Sequence, residues 1–63
     1  MITECILVTV NTSEVRSALR DYPGIELVSS QDSFIVWHWI TPSGEDLAVV
    51  GSIEGYKGTV QIV

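Results

Sequence analysis

Disulfides, basic residues and long apolar runs are what this chain of 63 residues has least of, and each shortage removes a class of function. A single cysteine, Cys5, excludes an internal disulfide, and with only one histidine, His38, there is no Cys/His cluster of the kind that holds zinc. Three basic residues cannot neutralise a run of phosphates, so direct nucleic-acid binding fails on charge. No apolar run approaches the roughly 18 residues needed to cross a bilayer, and the opening Met1-Ile2-Thr3-Glu4 lacks the basic region of a signal peptide. A cytoplasmic protein with no membrane contact is the expectation. The glycines at 51, 55 and 58 form no phosphate loop and the twelve-residue calcium pattern is missing, so neither cofactor nor metal is expected. His38 has no Ser, Cys or Asp at a spacing that makes a recognised catalytic motif with it, and the chain is not expected to be an enzyme.

What the chain does have is apolar side chain and negative charge. Hydrophobic residues make up 46% of it, too many for a disordered polar chain, and 63 residues are room for one domain spanning 1–63. A domain this small usually needs a supplement to its core, and with disulfide and metal set aside the supplement is self-association or a partner. Eight acidic residues against three basic ones give a net charge of -5, a field that repels nucleic acid and attracts basic surfaces.

The run Phe34-Ile35-Val36-Trp37-His38-Trp39-Ile40 gathers both tryptophans, the histidine and the one phenylalanine, and its continuity predicts a central strand. Residues 5 to 10, Cys-Ile-Leu-Val-Thr-Val, read as an earlier interior strand. Between them, Thr12 or Ser13 can cap a helix in which Val15, Ala18, Leu19 and Tyr22 recur on one stripe, and Pro23-Gly24 ends it. Residues 25 to 29 follow as a strand. Thr41-Pro42-Ser43-Gly44 has the composition of a tight turn, which predicts a hairpin into a strand over residues 46 to 53, and Thr59 to Val63 closes the chain. The expected fold is α+β, a mostly antiparallel five-stranded sheet with one helix on one face, in the order β-α-β-β-β-β.

One helix covers one face, which leaves a second face to explain. Ile35, Trp37 and Trp39 alternate with Phe34, Val36, His38 and Ile40, so one of the two sets faces away from the helix; Ile35, Trp37 and Trp39 are a candidate apolar interface, with the fold core as the other reading of both tryptophans. Chain direction also sorts the charges. Glu4, Asp21, Glu26, Glu45 and Asp46 fall at one end of the sheet, and Glu14, Asp32, Glu54 and Lys57 at the other. Five like charges at one end do not help a small domain fold. They are either ordinary solvated turns or an acidic surface for recognising a basic partner.

In size, charge and build along its full length, with no shared motif, the chain resembles the small acidic phage-encoded anti-CRISPR inhibitors, those of the type I-C group most in character. The resemblance implies a protein that presents carboxylates where a CRISPR surveillance complex expects phosphates, a DNA mimic blocking target or PAM-duplex binding. The expectation is therefore a non-enzymatic inhibitor of a basic nucleic-acid-binding complex, with a small structural or assembly module that homo-oligomerises through an exposed apolar sheet face, a homodimer being one such state, as the alternative.

Overall fold

The chain runs β1 (Thr3–Val10), α1 (Ser13–Arg20), β2 (Ile25–Ser30), β3 (Phe34–Thr41), α2 (Gly44–Gly51) and β4 (Gly58–Ile62) in a computed structural model. The structure describes residues 3–41 and 44–63, with the side chains of 41, 44 and 45 outside that description. The sheet has four strands in the order β2-β3-β1-β4, and every neighbouring pair is antiparallel. β1 and β2 are thus parallel to each other with β3 threaded between them. With a helix after β1 and another after β3, this is the split βαβ, or ferredoxin-like, connectivity.

The α+β class and the antiparallel sheet are as the sequence predicts; two particulars are not. Residues 44 to 51 form a helix where a strand was expected, and the sheet has four strands where five were expected. The sequence Leu47-Ala48-Val49-Val50 is β-branched enough to read as a strand, but Glu45 and Asp46 stand in the first turn of α2, where the helix dipole favours anions. Val50 is buried, and Leu47, three residues before it in the helix, packs on the same core, a spacing that a helix can turn inward and a strand cannot. The predicted turn residues 42 and 43 lie outside the described residues.

β1 and β3 form the spine, paired without interruption from Thr3↔Thr41 to Val10↔Phe34. That register sets Cys5, Leu7 and Thr9 beside Trp39, Trp37 and Ile35 on one face, and all six are buried. Both helices lie on this face. α1 supplies Val15 and Leu19, the stripe the sequence predicts, and α2 supplies Val50. Each such side chain stabilises the fold by about 1.5–3 kcal/mol relative to exposure. The reading of Ile35, Trp37 and Trp39 as an apolar interface is corrected here: they are core, at 1%, 5% and 2% exposure, because two helices rather than one cover their face.

Local details fix the ends. The Thr12 hydroxyl accepts the Val15 N–H at 3.3 Å, capping α1. After the helix, Gly24 turns the chain with φ +82°, and its carbonyl accepts the Ile40 N–H at 3.2 Å. The Trp39 indole donates to the Pro23 carbonyl at 2.9 Å, and the Tyr22 ring lies 5.3 Å from it, so the end of α1 is tied to β3 at three neighbouring residues. At the other end, buried Thr9 donates its hydroxyl to the Lys57 carbonyl, which also accepts the Val10 N–H.

Candidate functional site

The face of the sheet turned away from the helices carries Glu4, Ile6 and Val8 from β1 with Phe34, Val36, His38 and Ile40 from β3. Phe34 and Ile40 are 42% and 45% exposed, far more than the buried set on the opposite face. Cross-strand register adds Glu26 opposite His38 from β2, and Thr59 and Gln61 opposite Val8 and Ile6 from β4. No described element covers this face, so it is an apolar surface with polar residues at its margins. Patches of this kind mark interaction sites more often than chance exposure does.

Glu4 and Glu26 stand on that face on either side of His38. The Glu4 carboxylate meets His38 Nε2 at 2.7 Å, and both side chains are in contact with solvent, so the pair adds no more than about 1 kcal/mol. Glu26 is the direct cross-strand neighbour of His38, with Cβ atoms about 5 Å apart in such pairs. Two carboxylates thus flank the His38 position, one of them bonded to the ring, and the end of the face bearing them is acidic.

The remaining acidic residues singled out from the sequence lie at the same end of the molecule by chain direction, in the helical layer. Asp21 caps the C-terminus of α1, and residues 45 and 46 open α2. The five positions thus share an end but divide between two layers, with Glu4 and Glu26 on the open face and the other three behind it. Sequence reasoning placed Glu45 and Asp46 on a hairpin tip; the first turn of a helix is where they stand instead.

A second feature was not legible beforehand. Under α1, where the helix stands off from β2, lies an open groove of about 400 Å³. Its floor is Leu27, Ile35 and Trp37, and its wall is the Ser13, Arg16, Ser17 and Arg20 side of the helix. The sequence shows those polar residues on one stripe, but only the tertiary gap between α1 and the edge strand turns the stripe into a wall.

Cys5 is chemically quiet. It is fully buried, its thiol points to the Trp39 carbonyl at 3.5 Å, and desolvation pushes its pKa up, as burial does for the Tyr56 phenol. A raised acid pKa favours the protonated folded state, so its contribution to stability is present below the ordinary thiol value and is lost as the pH rises above it. Iodoacetamide should accordingly label Cys5 roughly 10²–10³-fold more slowly than a free thiol at pH 8, at the rate of transient opening. Alkaline unfolding should begin at higher pH in Cys5→Ala; labelling at the free-thiol rate would contradict the burial.

Among the described residues no group of three or more His, Cys, Asp and Glu could hold a metal ion, and no helix is long and apolar enough to cross a membrane. What the geometry defines is a small α+β domain with one helical layer and one open sheet face. No family model, curated protein or solved structure matches the chain, so its site is read from its own geometry.

Proposed function

We propose that this chain is a non-enzymatic binding protein that docks its open sheet face, acidic end included, on the basic nucleic-acid-binding surface of a partner protein and blocks it. The observation that carries the reading is the position of Glu4 and Glu26 on the open apolar face. Apolar residues beside them give area to bury, and the carboxylates select a surface built of Lys and Arg. Such a surface releases counterions to carboxylates as it does to phosphates. A CRISPR surveillance complex is one partner of this description, consistent with the resemblance in size and charge.

Nucleic acid itself fits this face poorly. Open faces of four-stranded sheets bind single-stranded RNA when aromatic rings on the central strands stack bases over a positive field. Here the described face has one phenyl ring, Phe34, and its carboxylates are Glu4 and Glu26, with no Lys or Arg among the residues the register places on it.

The test is capture of partners by the immobilised protein in the presence and absence of competing duplex DNA, with Glu4→Lys/Glu26→Lys as the paired variant. The expected partner binds nucleic acid, is displaced by the duplex and by salt, and is lost by at least about tenfold in the double variant. Capture that neither DNA nor charge reversal disturbs would refute the proposal. The exposure of Phe34 and Ile40 favours a second reading, a homodimer through the same face. Light scattering separates the two: a dimer that Phe34→Ser/Ile40→Ser converts to a monomer supports the second.

A further inference from the structure

The chain has three basic residues and eight acidic ones, yet the groove under α1 is lined by two of the three and by no acidic residue. Random placement would favour carboxylates there. Arg16 and Arg20 sit one helical turn apart, both exposed, and neither guanidinium has an ion-pair partner among the described residues. Glu14, the acidic residue of the same helix, has its Cβ near Gly55 and is not among the groove's lining residues. The floor beneath the arginines is apolar, with Leu27 56% exposed. Trp37, which also lines the groove, is itself buried, and its indole N–H has no hydrogen-bond partner among the described residues. Buried donors without partners are rare because each costs the full loss of its hydration.

We propose that this groove is a binding site for a small amphipathic organic anion, a carboxylate carried on an aliphatic or aromatic body. The carboxylate lies between Arg16 and Arg20, whose guanidinium forks match two carboxylate oxygens. The apolar body lies mainly on Leu27, the one floor residue with substantial exposed area, over the small part of Trp37 that reaches the groove. A volume of about 400 Å³ is within the range of small-molecule sites and accepts a body of about ten to twelve heavy atoms. The overall negative charge of the chain does not oppose this strongly, because at physiological salt it is screened beyond about 8 Å. The site is independent of the open sheet face, which lies on the other side of the sheet.

The probe is 4-phenylbutyrate, titrated into the full chain and followed by ¹H–¹⁵N NMR. Trp37 and Trp39 give separate indole N–H signals, and Trp39, bonded to Pro23, serves as the internal control. The expected result is a saturable shift of the Trp37 indole and of the Leu27 and Ser17 amides, with the Trp39 indole little moved. The neutral 4-phenylbutyramide should bind about tenfold more weakly or worse, as should the Arg16→Gln/Arg20→Gln variant with its native signal dispersion retained. No saturable shift, equal binding of the neutral amide, or unchanged affinity in the folded double variant overturns the proposal. An acetylated tripeptide with a side-chain carboxylate between two leucines is the second arm; if it binds more tightly than phenylbutyrate, the occupant is a protein segment and the small-molecule assignment is wrong.

Discussion

Replacing Trp39 by alanine is expected to abolish cooperative unfolding at room temperature, leaving a chain without near-ultraviolet circular dichroism. The side chain is 2% exposed at the centre of the core, between β1 and the end of α1. Truncating a buried Trp costs about 3–5 kcal/mol, and here it also strands the Pro23 carbonyl and leaves the Tyr22 ring without its partner. Domains of this length have a total stability of only about 3–9 kcal/mol, so the loss is of the same order as the whole. Phenylalanine at the two tryptophan positions gives a sharper comparison. Trp39→Phe removes an indole that is bonded, whereas Trp37→Phe removes one that has no partner. Thermal melts should therefore show the larger drop in midpoint for Trp39→Phe, by several degrees; equal drops would mean that the Pro23 bond contributes nothing.

The second large effect is expected from Gly24→Ala, at about 2–4 kcal/mol. Gly24 has φ +82°, a conformation that costs a residue with a Cβ about 1–2 kcal/mol. The added methyl would also collide with the Ile40 carbonyl oxygen, a backbone atom of β3 that cannot swing aside. Gly55 is the matched control. It has φ +86°, but its Cβ would meet only the Glu14 Cβ at 3.7 Å, an ordinary contact. Gly55→Ala should thus lose the conformational part alone, about 1–2 kcal/mol. Chemical denaturation of both variants measures the difference, and equal destabilisation would locate the whole effect in φ and none in the approach of the helix end to β3.

Much of the fold could be read in advance because its main elements carry redundant signals. α1 has a cap at Thr12, a stripe through Val15 and Leu19, and a stop at Pro23-Gly24, three signals that agree. The strands over 5–10 and 34–40 are long and β-branched. α2 carried contradictory ones. Its Val49-Val50 pair favours a strand, while Ser43-x-x-Asp46 ahead of an apolar run is a helix-start pattern, and in eight residues neither dominates.

The candidate site was harder to read for a geometric reason. A strand as uniformly apolar as Phe34 to Ile40 does not say which parity faces inward, and the decision came from a second helix that was not foreseen. One clue lay on the neighbouring strand: Glu4 shares its parity with Ile6 and Val8, so that face of β1 has to reach water, and antiparallel pairing carries the same side through Phe34, His38 and Ile40. The groove under α1 had no such clue, because it is a gap between elements and no local pattern encodes a gap.

The two rims of the sheet are unequal, and this bears on how chains can add to one another. β2 is interrupted between Leu27 and Ser29, where its pairing with β3 slips by one residue, and a bulge of this kind spoils an outer strand as a template. β4 pairs with β1 in unbroken register from Gly58 to Ile62, and all five of its residues are exposed. Growth by strand addition therefore has one competent rim per molecule. Two chains meeting β4 to β4 would present only interrupted rims outward, so association by this route terminates at a pair and cannot propagate into a filament.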